Sequence, residues 1–443
     1  MTDSRLAKAL EECLSKNDFR LLPSVPHSAE VATLEEARLL CEALTSFRKK
    51  RWDWPINPYH VETMSDWIGT AKRRPVVDAL RENATPHLVW AFRQRAKLWK
   101  RNTVARRSLF SVLPVLAKLG GRDATLAIAE AVVAQFEPES KWGAVFDGLL
   151  RSPLEASALL ARVASRVPKS GNLRDAYVAF SNAALASRLG ESHPHDTSAG
   201  WPVLTGMLRW PGSWESYRQW NRYGYTAKDR ALAAVSAMRY LSPGGRDALL
   251  RAALKHPDGR VRIWAAAGAA ERGDAKAEAF LVEACHDARY ATLAAAALYE
   301  AGREAARPPE SASPALRATS VVSEKLDAEH GRPPDHVEIA YAKELGWPPA
   351  DRRRWVALVA FRYDDGALLE KERKGYGLFV ASLKTPDDFE AQVLDRDWAD
   401  REPLEALALA CGLLLQRRGD ARAPAEVSVE EGLRLLRRYN AEV

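Results

Sequence analysis

The residues best suited to chemistry in this chain are cations interleaved with tryptophan. In ATPHLVWAFRQRAKLWKRNTVARRSLF (84–110), Trp90, Arg93, Lys97 and Arg101 recur at spacings of 3, 4 and 4, one face of a helix. Lys100 lies beside them, Arg106 and Arg107 follow on the next helix, and Arg48, Lys49, Lys50, Arg51, Lys72, Arg73 and Arg74 extend the set upstream. Cations gathered on one surface neutralise phosphates, and an exposed indole among them stacks on a base. Trp and Arg are equally the residues that anchor a protein partner, because they bury large area and pair with carboxylates. The plainer reading is a solvated helix face, in which Arg and Lys stems cover Trp90 while their heads stay in water.

Little else in the chain has the spacing that chemistry needs. His193 and His195, with Asp196 beside them, form the one close histidine pair. That spacing suits a metal, but SHPHD offers no third or fourth ligand nearby and reads as a flexible surface loop. There is no GxGxxG, GxxxxGK[ST], GxSxG or HExxH, so no catalytic, cofactor or metal residue is assigned. Cys13, Cys41, Cys285 and Cys411 are far apart, which excludes a zinc finger and a disulfide-stapled fold and points to a reducing, cytoplasmic setting. Cys13 and Cys41 read as small core hydrophobes.

The charge is uneven. Residues 48–110 hold fifteen Lys or Arg against five Asp or Glu, a net of +10, so the other 380 of the 443 residues sum to −3 within an overall +7. The basic character therefore belongs to one segment that attracts polyanions or acidic partners. No apolar run reaches the roughly 18 residues of a membrane span. The polar N-terminus, MTDSRLAKALEECLSKNDFR, is unlike a secretory signal.

Helical periodicity dominates the elements that must position these residues. Helices are expected at about 3–15 and 33–47, then 75–82, 85–101, 103–119, 122–136, 140–151, 153–167 and 172–189. On the second of the long series, Val89, Phe92, Ala96 and Trp99 form the core stripe opposite the cations. Gly120-Gly121 stops one helix, and short connections imply antiparallel neighbours. Trp201, Trp210, Trp214 and Trp220 crowd the stretch after a polar loop, where they anchor a junction or stack on a ligand. ARPPESASP (306–314) breaks the composition and reads as a linker. Beyond it, helices are expected at about 315–330, 335–345, 386–394, 401–417 and 428–438, with WVALVAF (355–361) and YGLFVAS (376–382) as a two-stranded β-hairpin.

An internal repeat is the clearest organising signal. PDGRVRIWAAAGAAERG (257–273) aligns without gaps to HDARYATLAAAALYEAG (286–302), and Asp229, Ala237 and Gly244 recur 29 residues earlier. In each unit the Asp should cap a helix, the alanines should allow close helix approach, and the Gly should end the helix. With Asp258, Val261, Arg262, Ala266 and Gly273 at the favoured positions, the segment resembles a HEAT-type (armadillo-like) α-helical repeat. That resemblance implies a mainly α fold, a right-handed α-superhelix or solenoid, and a habit of binding proteins or nucleic acid.

The organisation expected is a helical pair at 1–47 and a basic, Trp-rich helical region at 48–224. HEAT-like repeats follow at 225–303, a linker at 304–314, and a small α+β appendage at 315–443. The function expected is a non-enzymatic scaffold that docks a protein partner, with no cofactor, membrane or evident small-molecule substrate. The alternative is nucleic-acid binding by the 48–110 patch. It extends to the HEAT-like alkylpurine DNA glycosylases, which LWKRNTVARRSL (98–109) loosely resembles without supplying an assignable catalytic aspartate.

Overall fold

The computed structural model describes residues 5–16, 29–49, 58–96, 103–134, 142–150, 153–186, 191–219, 226–347, 352–364, 374–385, 388–394, 396–420, 423–424 and 426–440. They form a mainly helical chain with one antiparallel sheet. It divides into two compact units, Met1–Arg209 with Trp220–Ala248, and Trp210–Gln219 with Leu249–Val443. No helix among the described residues is long and apolar enough to cross a membrane.

The first unit begins with α1 (Arg5–Lys16), α2 (Leu34–Lys49), α3 (Pro58–Thr70), α4 (Arg74–Ala96), α5 (Thr103–Leu119) and α6 (Arg122–Val133). It continues with α7 (Trp142–Leu149), α8 (Pro153–Ala161), α9 (Asn172–Leu185) and α10 (Trp201–Met207); α11 (Trp214–Arg218) lies in the second unit, and α12 (Ala227–Ser236) returns to the first. Alternate helices pack on one another: α2 on α4, α4 on α6 and α6 on α8 form one row, while α3 on α5, α5 on α7, α7 on α9 and α9 on α12 form the other. One continuous apolar core runs between the rows from Leu6 to Ala184. Gly120 and Gly121, at φ of 71° and 87°, make the turn between α5 and α6 in a region that only glycine enters cheaply.

Where two helices were expected at 75–82 and 85–101, one helix, α4, runs through Pro86. Proline leaves the Glu82 carbonyl without its helical donor, but Pro86 and Glu82 both face solvent, where water can satisfy it.

The second unit holds α14 (Gly259–Ala270), α15 (Ala275–Ala284), α16 (Ala291–Glu300) and α17 (Pro314–His330), while α13 (Pro243–Ala253) crosses the boundary between the units. Here too α14 touches both α15 and α16. The three aligned aspartates serve helix starts in three different ways. Asp258 is the N-cap of α14 and accepts the Arg260 N–H at 2.9 Å. Asp229 is the third residue of α12, in a reciprocal capping box with Thr226. Asp287 accepts the Arg289 N–H at 2.9 Å one turn before α16 begins. Gly273 and Gly302 close their helices at positive φ, whereas Gly244 lies inside the first turn of α13. The Pro-rich stretch after α16 folds as two 3-10 turns, Glu304–Ala306 and Pro309–Ala312, with Ser311 buried.

The sheet is larger than the expected hairpin. It is a four-stranded antiparallel meander in the order β1 (His336–Trp347), β2 (Arg352–Arg362), β3 (Lys374–Ser382) and β4 (Phe389–Val393). The segments expected as helices at 335–345 and 386–394 are therefore strands. In β1, Val337 and Ile339 alternate with exposed His336 and Glu338, so the period is 2, and the later Glu, Lys, Ala and Leu only imitate a helix. β4 is short and gains its conformation by pairing with β3. Ala357, Val359, Phe361, Phe379 and Ala381 face α17, and Val356, Leu358, Leu378 and Val380 face α18 (Pro403–Arg417) and α19 (Val429–Tyr439). At the outer edge of β1, the Asn440 side chain accepts the Gly346 N–H at 2.7 Å and donates to its carbonyl at 3.1 Å.

α19 packs tightly on α18 at Gly432, where an added Cβ would lie 2.1 Å from the Ala408 carbonyl oxygen. Alanine would gain about 1 kcal/mol of helix propensity, but overpacking against backbone costs about 1–3 kcal/mol or more. Gly432→Ala is expected to lower the melting temperature, and Gly432→Leu to lower it further. An alanine variant as stable as the parent would mean that the two helices can separate at no cost.

Candidate functional site

The cation-bearing face of α4 meets α6 across an open groove of about 600 Å³. Pro86, Val89, Trp90 and Ala96 supply its apolar floor, and Arg93, Gln94, Asp123 and Glu130 its polar rim. Of the expected core stripe, Ala96 is half-buried and lines the groove with Trp90, and Trp99 lies outside the described residues. Val89 and Phe92 are buried in the core, Trp90 is half-buried against it, and Arg93 is exposed. Arg93 is committed to Glu130: Nη2 lies 2.7 Å from Oε1, and Nε lies 3.2 and 3.1 Å from the two carboxylate oxygens. That hydrogen bonding raises the Arg93 pKa, with Asp123 adding to the attraction. The described rim thus holds two carboxylates and one guanidinium, a mixed-charge edge around an indole.

The other cations of the basic segment whose side chains are described also lie beside acceptors. Lys72 lies 3.9 Å from Glu30, Arg74 3.9 Å from Asp78, and Arg81 2.8 Å from Asp78. Arg73 donates to the Ala32 carbonyl at 3.4 Å. Lys49 sits at the end of α2, and Arg106 and Arg107 in the first turns of α5. Lys50, Arg51, Lys97, Lys100 and Arg101 fall outside the described residues. Of the expected set, the structure brings together Trp90 and Arg93, and Arg73 and Arg74 stand at the N-terminal end of the same helix.

The histidine pair is buried rather than on a flexible surface loop, with His193 and His195 at 2% and 3% exposure. His193 Nδ1 accepts the His195 N–H at 3.0 Å, and the His193 N–H donates to the Tyr240 carbonyl at 2.9 Å. Asp196 accepts from Ser242 N–H and hydroxyl, each at 2.8 Å, and from the Trp201 indole at 3.2 Å. Among the described residues no three His, Cys, Asp or Glu side chains converge on a metal position. The turn recurs at His256-Pro257-Asp258, where His256 Nδ1 accepts the Asp258 N–H at 3.1 Å. In both places a tyrosine ring packs on a histidine, Tyr177 on His195 and Tyr217 on His256. The repeated His-Pro-x tripeptide was the signal available in the sequence.

The described tryptophans after the loop, Trp201, Trp210 and Trp214, are half-buried against neighbouring residues. Trp210 meets Trp214, Tyr217 and His256 at centroid distances of 5.0, 4.8 and 5.8 Å, and the Tyr217 hydroxyl donates to Asp258 at 3.0 Å. Trp201 lies over Gly244 and Gly245, and Trp220 is outside the described residues. All four cysteines are buried and outside any disulfide; burial pushes the Cys41 thiol up to about 11 and the Cys411 thiol up to about 12, far from the thiolate that nucleophilic chemistry requires.

A second cleft, of about 700 Å³, opens at the end of the sheet where β1, β2 and β3 present charged side chains. Sequence reasoning missed it because one strand was read as a helix. In comparisons with protein-family models, curated proteins and solved structures, nothing matches the chain.

Proposed function

We propose that the chain is a non-enzymatic helical-repeat protein of the HEAT type whose α4–α6 groove docks a protein partner. The observation that carries this reading is the half-buried Trp90 beside the Arg93–Glu130 pair. An aromatic anchor ringed by both signs of charge matches the hot-spot chemistry of protein interfaces. A long phosphate track draws its affinity from net charge, and each internal pair with a carboxylate removes one charge that would release counterions. The alternate-helix packing in two rows, together with the capped repeat around Asp258, supports the HEAT-type assignment. Four cysteines outside any disulfide support a reducing, cytoplasmic setting.

Two measurements test it. Anisotropy titrations of labelled DNA and RNA at about 50 and 200 mM salt should show no tight, salt-steep binding. A partner retained on affinity purification should lose about 2 kcal/mol or more of binding with Trp90→Ala and be unaffected by Tyr299→Ala, an exposed position in the other unit. Nucleic-acid affinity that falls by orders of magnitude between the two salt concentrations would replace this reading with the polyanion one.

A further inference from the structure

The cleft at the end of the sheet has a charge pattern set by strand register. Glu338, Ala360 and Tyr376 are cross-strand partners on β1, β2 and β3, and so are His336, Arg362 and Lys374. The two rungs are two residues apart, so their side chains share one face of the sheet, about 7 Å from each other. One rung carries the Arg362 and Lys374 cations beside the His336 imidazole and the other carries a carboxylate, while Asp287, Arg289 and Asp335 line the rest of the cleft.

The pairing of these charges separates them into two kinds. Arg362 lies 3.2 Å from Asp364, His336 Nε2 lies 2.7 Å from the same carboxylate, and Lys374 meets Asp400. Each is matched by a carboxylate, but the Arg362 guanidinium with five N–H groups and the Lys374 ammonium with three have more donors than those pairings use. Glu338 is exposed, and among the described residues no side chain pairs with it. Between Glu338 and Tyr376 stands Ala360, whose methyl leaves a notch two strand spacings wide, about 10 Å between the flanking strands. The Tyr376 hydroxyl donates to the Arg401 carbonyl at 3.0 Å, so the ring is what that residue offers to the cleft. A carboxylate on one side and an aromatic ring on the other is the environment that holds an ammonium or guanidinium group.

We propose that this cleft binds a dipolar ligand, a basic amino acid either free or at the C-terminal end of a peptide. Its carboxylate lies on the Arg362–Lys374 rung, and its cationic side chain lies over Ala360 between Glu338 and Tyr376. An extended arginine or lysine spans the distance between the rungs from its α-carboxylate to its terminal charge. The proposal is independent of the groove on α4, because the cleft belongs entirely to the second unit.

Calorimetric titration of the full chain tests it with five probes: L-arginine, a short N-acetylated peptide ending in arginine, the same peptide amidated at its C-terminus, agmatine and citrulline. Arginine or the acetylated peptide should bind, and which of the two binds better identifies the source of the ligand. Agmatine and the amidated peptide, lacking the carboxylate, and citrulline, lacking the charge, should each bind at least tenfold more weakly. Glu338→Gln, at an exposed position without a partner, should leave the fold unchanged and remove the preference for arginine over citrulline. Ala360→Leu should fill the notch and abolish binding of every probe, with circular dichroism reporting an intact fold. The proposal is overturned if none of the probes binds, if citrulline or agmatine binds as well as arginine, if the amidated peptide binds as well as the acid, or if Glu338→Gln keeps the discrimination.

Discussion

Replacing Asp175 by alanine is expected to cost the first unit about 3–5 kcal/mol, because it strands a buried guanidinium. Asp175 and Arg174 are 2% and 3% exposed, and Arg174 Nε donates to Asp175 Oδ1 at 2.7 Å. Arg174 also donates to the Lys169 carbonyl at 2.9 Å, and Arg230 stands 4.0 Å from the second carboxylate oxygen. Desolvation pushes the Asp175 carboxyl up while the Arg174 charge pulls it down, and burial is the larger effect. The pair is therefore costly to keep and costlier to break. Urea unfolding checks this. Asp175→Ala should lower the midpoint strongly, and Arg174→Met combined with Asp175→Leu should recover most of the loss. A single substitution costing less than about 1 kcal/mol would mean that the pair behaves as an exposed one.

Acidification below about pH 6.5 should destabilise the same unit through its buried histidines. Burial holds His193 down to about 3 and His195 to about 4, from an ordinary value of 6.5; the neighbouring imidazole adds to the first shift, and Arg174 to the second. Above the unfolded value both states are neutral and neither residue favours one over the other. Below it the unfolded chain takes up protons that the native one refuses, so stability falls with pH through the window from 6.5 to about 4. Each imidazole contributes a loss of about 2 kcal/mol by pH 5. Asp175, with its raised carboxyl, works in the opposite direction and relieves part of the loss at the acid end. Thermal unfolding measured from pH 7 to 4.5 should show the slope. His193→Asn, whose side chain can accept the same N–H in an Asx-turn, combined with His195→Phe should flatten it. An unchanged slope in the double variant would place the acid sensitivity elsewhere.

Helices were legible wherever one apolar stripe at a 3.6-residue period met a clear stop, as at Gly120-Gly121 or across the capped repeat at Asp258. They were misjudged where a local rule was overridden. Pro86 breaks an isolated helix, yet its lost bond faces water and α4 continues. In β1 four residues carry the strand period and the rest carry helix formers, and only pairing with β2 decides between them. The groove was half legible. Spacing placed Trp90 and Arg93 side by side, but Glu130 lies 37 residues away, and no local pattern shows that it neutralises Arg93. Burial of His193 and His195 was hidden for the same reason, since the contact that draws the loop inward runs from His193 to Tyr240. The sheet-end cleft needs the register of three strands, which the sequence does not display.

The carboxamide of Asn440 gives β1 an already satisfied edge at Gly346. It presents the same donor and acceptor as a peptide group, so that stretch of backbone meets a neighbouring molecule with its hydrogen bonds filled. A single side chain thereby does part of what a fifth strand would do. At that one residue it leaves no open donor or acceptor for the strand of another copy to pair with.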